Sequence, residues 1–121
     1  MQYVGIDIIE IARIERAIAR WGECFLKRVY TNSELSLCRK KPSSLAARFA
    51  AKEAVIKAFG TQNKGIGWRE IEILSDPSGK PVVHLHGKAQ NQSDSLGLAR
   101  LAISLSHSKE YAIAFVTGET K

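Results

Sequence analysis

Residues 48–60 read RFAAKEAVIKAFG, and this stretch predicts a long buried helix. Wound as a helix from Leu45, it places its large apolar side chains on one side, with Lys52 between them, and almost only alanine on the other. A helix that is apolar nearly all round is usually buried. Because charged side chains are rarely buried without a partner, the charged members of this stretch need partners from other segments: Arg48, Lys52, Glu53 and Lys57.

The segments before this helix predict a strand and two further helices. QYVGIDII, at residues 2–9, is rich in β-branched residues and predicts the strand. The next helix carries an apolar side around Ile11 and Ile14, ends at Gly22, and bears an arginine stripe on nearly the opposite side, made of Arg13, Arg16 and Arg20. TNSELSLCRKKPSS, at residues 31–44, predicts a short capped helix and a loop, after which Ser43 or Ser44 caps the alanine-rich helix.

The segments after the alanine-rich helix alternate with period two and predict strands. WREIEIL and VVHLH flank the turn signal SDPSGKP, and RLAISLS and YAIAFVTG form a hairpin around HSKE. GKAQNQSDSLG between them predicts a polar helix that ends at Gly97. The order β-α-α-α-β-β-α-β-β predicts an α+β fold, a mostly antiparallel sheet packed with one long helix and shorter helices, in a single domain over residues 1–121.

Composition limits the location and the partners of the chain. No stretch approaches the roughly 20 apolar residues of a membrane span, and the charges of Asp7 and Glu10 near the N-terminus are untypical of a signal peptide. We therefore expect no membrane association, a cytoplasmic location, and free thiols at Cys24 and Cys38. The net charge of +6 predicts an acidic partner, either nucleic acid, a phosphorylated small molecule or an acidic protein.

Two carboxylates could carry chemistry or could be structural. Asp7 and Glu10 have the spacing of a helix capping box, but Asp7 could instead bind a metal at the end of a strand. Glu53 could form an ion pair with Lys57 one turn later, or could be the second metal ligand. One Asp and one Glu beside a lysine suit a Mg²⁺ site that also uses phosphate oxygens.

Five segments, in this order, closely resemble the bacterial holo-acyl-carrier-protein synthases of the 4′-phosphopantetheinyl transferase superfamily. These segments are GID at 5–7, IEIARIERA at 9–17, RFAAKEAVIKAFG at 48–60, DPSGKPVV at 76–83 and SLSHSKEYAIAFV at 104–116. The resemblance implies transfer of 4′-phosphopantetheine from coenzyme A to a serine of apo-acyl carrier protein, within fatty acid biosynthesis. It also implies a homotrimer with active sites between subunits.

The resemblance further implies a role for each matching residue. Asp7 and Glu53 would hold Mg²⁺. Because serine is a poor nucleophile at neutral pH, a base must take its proton, and Glu53 is the candidate, directly or through a metal-bound water. Lys57 would contact the phosphates and assist proton transfer. The contacts to coenzyme A would come from His107, Arg48, Lys80 and Pro81. The arginine stripe of Arg13, Arg16 and Arg20 would bind the acidic carrier protein.

Three features remain to be placed by the structure. Tyr3 stands where the family often has a glycine, and GTQNKGIG after the long helix replaces a shorter glycine loop, which affects the coenzyme A entrance at residues 61–65. We expect the stem of Lys52 to pack in the core while its ammonium reaches a partner or a subunit interface.

Two other functions would need different features. A small nucleic-acid-binding domain would need stacking aromatics among its basic residues. A non-catalytic interaction module would use Asp7 and Glu53 only structurally.

Overall fold

A computed structural model describes residues 1–60 and 65–121 of the chain. The chain starts with strand β1 (Gln2–Glu10) and continues through four helices, α1 (Ile11–Trp21), α2 (Glu23–Val29), α3 (Asn32–Cys38) and α4 (Pro42–Phe59). A short 3-10 helix (Trp68–Glu70) then leads into β2 (Ile71–Ser75) and β3 (Pro81–Leu85). Helix α5 (Gly87–Ser95) and strands β4 (Leu98–His107) and β5 (Tyr111–Thr120) complete the fold.

The strands form two antiparallel sheets. The larger sheet has the order β1-β5-β4, so the C-terminal strand lies in its centre. The smaller sheet is the β2-β3 hairpin, in which Ile71 and Ile73 are fully buried. The predicted α+β fold with antiparallel strands and one long helix is therefore confirmed, and so is the β4-β5 hairpin.

Helix α4 is buried as its composition predicts. Its alanines pack against β1 and β5, and its buried residues include Leu45, Ala50, Ala54 and Phe59. Small side chains on this face let the helix backbone approach the sheet closely. This packing fixes which residues of β1 can meet which residues of α4.

The backbones of β1 and α4 approach each other closely at Gly5. A Cβ atom built at Gly5 would lie 1.9 Å from the carbonyl oxygen of Ala54 and 2.9 Å from the amide nitrogen of Ala58. No residue other than glycine fits at this distance without moving the strand or the helix. Because side chains alternate along a strand, Asp7 is on the same face as Gly5 and points toward α4. Tyr3, the departure noted in the sequence, lies on that face as well, and the close approach is made at Gly5.

The predicted packing of the Lys52 stem in the core is confirmed, and its ammonium reaches a partner inside the core rather than at a surface. The side chain is 0% exposed, and its Nζ donates to Glu34 Oε1 at 2.7 Å, to the carbonyl of Ile71 at 2.6 Å and to that of Trp68 at 3.0 Å. These three hydrogen bonds use all the donors of the ammonium. Burial lowers the pKa of Lys52, against the opposing charge of Glu34.

Glu34 completes this buried pair and joins three segments. It forms a capping box with Thr31 at the start of α3, which is the helix predicted to be capped. The Thr31 hydroxyl accepts from the amide of Glu34, and the Thr31 amide donates to Oε1. Its other oxygen, Oε2, accepts from the amide of Ile73 in β2 at 2.7 Å. The pair therefore ties α3, α4 and β2 together inside the core.

Several local predictions are wrong at helix ends. Asp7 and Glu10 form no capping box, since Asp7 is inside β1 and Glu10 makes no side-chain cap to α1. Helix α4 begins at Pro42 and not after Ser43 or Ser44, because proline fits the first helical position, where no amide donor is needed. Helix α2 was not predicted. Its seven residues give too few turns for a clear apolar periodicity.

Candidate active site

Asp7 and Lys57 form the first pair of the candidate site. Lys57 Nζ lies 2.8 Å from Asp7 Oδ1 and also donates to the carbonyl of Ile6 at 3.1 Å. The carboxylate of Asp7 is partly buried against α4, whereas the ammonium of Lys57 is exposed. The pair joins residues fifty positions apart, and the contact between β1 and α4 at Gly5 makes it possible.

Glu53 lies one helical turn before Lys57 on the same side of α4. Its carboxylate does not form the ion pair with Lys57 that the spacing allowed. It accepts a hydrogen bond at Oε2 from the indole Nε1 of Trp68, at 3.1 Å. Asp7, Glu53 and Lys57 therefore come from two elements and occupy one side of the long helix.

The donor chemistry of this group fits a hard divalent cation. Asp7 and Glu53 offer carboxylate oxygens, the ligands that Mg²⁺ prefers. The ammonium of Lys57 at 2.8 Å shows that a cationic group fits beside Asp7. Within the described residues no cluster of three or more His, Cys, Asp or Glu side chains could hold a metal. A metal here would thus take its remaining ligands from water and from phosphate groups, as Mg²⁺ commonly does.

His107 lies at the exposed end of β4, on the same face of the sheet as Asp7. The register pairs His107 with Ala112 and, one strand further, Ala112 with Ile9. Strands β4 and β1 are separated by β5, so the two strands lie roughly 10 Å apart. Among the described residues, no hydrogen bond or ion pair joins His107 to Asp7 or Lys57.

Lys80 and Pro81 lie away from this group. They line a groove of about 840 Å³ that runs beside β4 and opens onto the sheet surface near Phe115. The turn before β3 is held by Asp76, whose Oδ1 accepts from the amides of Ser78 and Lys80. Asp7 and Glu53 are not among the residues that line this groove.

Arg48 points to the opposite side of α4 from Lys57. Its Nη2 lies 3.4 Å from the hydroxyl of Ser75 in β2, and its Nε is buried with no partner among the described residues. The role of Arg48 as a phosphate contact stays a prediction.

The arginine stripe is exposed along α1, as its periodicity predicts. Arg13, Arg16 and Arg20 all face solvent, and the guanidinium of Arg20 lies 5.1 Å from the ring centre of Trp21. Trp21 is itself 56% exposed. An aromatic side chain is thus part of this basic surface.

One face of the larger sheet is apolar and uncovered. The face away from α4, here called the outer sheet face, bears the following exposed side chains: Val4, Ile6, Ile8, Tyr111 and Phe115. Antiparallel sheets usually turn polar residues toward water on such a face. Exposed apolar patches of this kind mark interaction surfaces.

Sequence reasoning missed the hydrogen bond from Trp68 to Glu53. The two residues are fifteen positions apart and belong to different elements, so no helical or strand spacing relates them. The alternating pattern of WREIEIL predicted Trp68 only as the start of a strand, and this is wrong, since Trp68 lies in the short 3-10 helix before β2.

Comparisons with known proteins agree with the earlier resemblance. Residues 3–116 match the family model of the 4′-phosphopantetheinyl transferase superfamily. The chain is 55% identical over 119 residues to a holo-[acyl-carrier-protein] synthase of Dehalococcoides mccartyi, covering 98% of this chain and 99% of the relative. It is 50% identical over 125 residues to that of Herpetosiphon aurantiacus, covering 98% of both.

A solved structure gives the same result for the fold. The crystal structure of the Helicobacter pylori holo-[acyl-carrier-protein] synthase in complex with coenzyme A matches with a TM-score of 0.87 and 37% identity. The match covers 96% of this chain and 99% of that one. In the part of this chain that the structure describes, no helix is long and apolar enough to cross a membrane.

Proposed function

This chain belongs to the 4′-phosphopantetheinyl transferase superfamily and catalyses the holo-[acyl-carrier-protein] synthase reaction, and we propose that Asp7, Glu53 and Lys57 form its reactive centre. The enzyme transfers 4′-phosphopantetheine from coenzyme A to a serine of apo-acyl carrier protein and releases adenosine 3′,5′-bisphosphate. The observation that carries the assignment of the centre is the 2.8 Å contact of Lys57 with Asp7, one helical turn from Glu53.

In this proposal the residues of the reactive centre accept a proton, bind the pyrophosphate and hold the metal. The serine oxygen forms a bond to the phosphorus next to pantetheine, and the bond from that phosphorus to the leaving nucleotide oxygen breaks. Glu53 takes the serine proton, directly or through a water molecule. Lys57 binds the pyrophosphate and offsets charge on the leaving phosphate. Mg²⁺, when held by Asp7 and Glu53, would supply further stabilisation of phosphate charge.

The carrier protein is proposed to bind along α1. Arg13, Arg16 and Arg20 present guanidinium groups that suit an acidic helix. The net charge of +6 supports an acidic partner. Family membership favours this partner over the nucleic acid and the non-catalytic module that the sequence left open.

We further propose that the enzyme is a homotrimer whose subunits meet through the outer sheet face. The exposed apolar residues of that face support an interface. The groove beside Lys80 and Pro81 opens onto this face, away from Asp7 and Glu53. We propose that each active site lies between subunits, so that a neighbouring subunit supplies the coenzyme A contacts of Lys80 and Pro81.

Some expectations stay predictions. These are the cytoplasmic location, the place in fatty acid biosynthesis, the single domain over 1–121, and the contacts of His107, Arg48, Lys80 and Pro81 with coenzyme A. The altered loop at residues 61–65 falls mostly outside the described residues, since only Gly65 of that segment is described.

The test is an assay with coenzyme A, Mg²⁺ and apo-acyl carrier protein, followed by the intact mass of the carrier. Wild-type enzyme should add one phosphopantetheine-sized mass. Glu53→Gln should slow this by about 100-fold or more, since a positioned base contributes about that much. Glu119→Gln, at an exposed strand end, is the matched control and should keep wild-type rates. Full activity of Glu53→Gln would contradict the role of Glu53, and no mass gain with wild-type enzyme would contradict the function.

A further inference from the structure

We propose that Trp68 is a positioning residue that orients the Glu53 carboxylate toward the metal. Its indole Nε1 donates to Glu53 Oε2 at 3.1 Å. The inference rests on the proposed role of Glu53 as a metal ligand. It adds a residue that touches neither the metal nor the substrates.

The geometry of the hydrogen bond leaves one carboxylate oxygen for the cation. An indole N–H can only donate, so it engages one oxygen of Glu53 and fixes the rotation of the carboxylate. Oε1 has no hydrogen-bond partner among the described residues. A glutamate without such a partner samples several rotamers, and ordering them on metal binding costs free energy.

Trp68 can serve this purpose because it is itself held firmly. Its backbone carbonyl accepts from the ammonium of Lys52 at 3.0 Å, and Lys52 is fully buried in its ion pair with Glu34. Its ring packs on Phe49 with a centroid distance of 5.9 Å. Trp68 is therefore held through both its backbone and its ring, independently of its hydrogen bond to Glu53.

Lys52 and Glu53 are neighbours on α4 and contact the same tryptophan at two different atoms. Lys52 donates a hydrogen bond to its backbone carbonyl, and Glu53 accepts one from its indole N–H. The buried ion pair and the reactive centre are thus linked through one residue, by its backbone carbonyl and its indole N–H. Outer-shell donors of this kind typically change metal affinity by about 10- to 100-fold when they are removed.

The first experiment measures metal binding directly. Trp68→Phe keeps an aromatic ring against Phe49 but removes the N–H donor together with part of the indole. Trp21→Phe makes the same change in ring size at the exposed end of α1 and is the matched control. Binding of Mn²⁺ is followed by electron paramagnetic resonance with coenzyme A present. We expect Trp68→Phe to raise the Kd for Mn²⁺ by about 10-fold or more, and Trp21→Phe to leave it unchanged. A Kd for Trp68→Phe within twofold of wild type would overturn the inference.

Kinetics separate positioning from a general structural effect. In Trp68→Phe the Mg²⁺ concentration for half-maximal rate should rise, while kcat at saturating Mg²⁺ should return to near the wild-type value. A lower kcat with an unchanged Mg²⁺ requirement would indicate a structural role only and would contradict the proposal.

A second measurement does not depend on how well Trp68→Phe folds. The chain has two tryptophans, so the indole N–H signals of ¹⁵N-labelled protein can be assigned with Trp21→Phe. Glu53→Gln should shift the Trp68 signal, and Mn²⁺ should broaden it. An indole signal indifferent to Glu53→Gln would show that the hydrogen bond is absent in solution.

The outcomes also separate this inference from the proposed function. If Glu53→Gln abolishes Mn²⁺ binding but Trp68→Phe does not weaken it, only the role of Trp68 fails. If Glu53→Gln itself binds Mn²⁺ as tightly as wild type, the metal role of Glu53 fails, and the positioning role fails with it.

Discussion

At the scale of single residues, the buried ion pair with Glu34 explains how the charge of Lys52 is tolerated inside an apolar helix. The sequence did not identify this partner. Taking an ammonium and a carboxylate out of water is costly, and it is tolerated when their remaining hydrogen-bonding atoms also find partners. Here the amide of Ile73 and the carbonyls of Ile71 and Trp68 supply them. The pair therefore specifies how α3 and β2 dock against α4.

Lys52→Met should destabilise the protein by about 3 to 5 kcal/mol, because it leaves the carboxylate of Glu34 buried without its cation. Urea denaturation measures the free energy of unfolding. Lys57→Met is the matched control, since it removes an exposed ammonium from the same helix, and exposed ion pairs contribute only about 0 to 1 kcal/mol.

The double variant Lys52→Met/Glu34→Gln gives a further check. It removes both charges and should recover part of the loss. A single variant Lys52→Met with wild-type stability would show that the pair contributes nothing to folding.

At the scale of elements, the contact between β1 and α4 assembles the reactive centre. The alanines of α4 and Gly5 of β1 together bring two backbones close enough for Lys57 to reach Asp7. The sequence shows the alanine face and the glycine separately. It does not show that they face each other, since this depends on the packing of residues about fifty positions apart.

Gly5→Ala should separate these elements. The added Cβ would overlap the carbonyl of Ala54 at 1.9 Å, so strand or helix must move. Overpacking of this kind costs about 1 to 3 kcal/mol, and a clash with backbone belongs at the upper end. The expected result is a lower free energy of unfolding together with a lower kcat, because Asp7 moves away from Lys57.

The control for this prediction is Gln2→Ala, an exposed position at the start of the same strand. It should leave both quantities near the wild-type values. Wild-type stability of Gly5→Ala would contradict the close approach seen at this position.

At the scale of the whole molecule, the outer sheet face is apolar and exposed in one chain. Ile6 and Ile8 are 52% and 59% exposed in β1, and Phe115 lies beside Ile6 in the central strand. Helix α4 covers the other face. A sheet with one covered face and one bare apolar face suits burial against further copies of the chain.

Ile8→Lys should break the proposed homotrimer, because it places a charge in the middle of an apolar interface. Sedimentation velocity should show a shift from three chains to one, and activity should fall with it if the active sites lie between subunits. Asn91→Lys adds the same charge on the exposed surface of α5 and should stay trimeric. A wild-type enzyme that sediments as one chain would contradict the trimer itself.

The sequence by itself determined the elements that carry a strong local signal. The periodicity of α1 and α4, the turn before β3 and the β4-β5 hairpin follow from the order of apolar and turn-forming residues, which acts over a few positions. The segments that resemble the family predicted the reaction, because they contain the family's residue types at the family's separations. They also predicted Asp7, Glu53 and Lys57 as site residues.

Only the tertiary structure decided which of these residues meet. Lys57 pairs with Asp7 and not with Glu53, Lys52 is buried on Glu34, and Trp68 donates to Glu53. Each of these contacts joins segments far apart in sequence, and each depends on how closely α4 packs against its neighbours. Local spacing cannot encode such distances, because they are set by the side-chain volumes of both packing partners together.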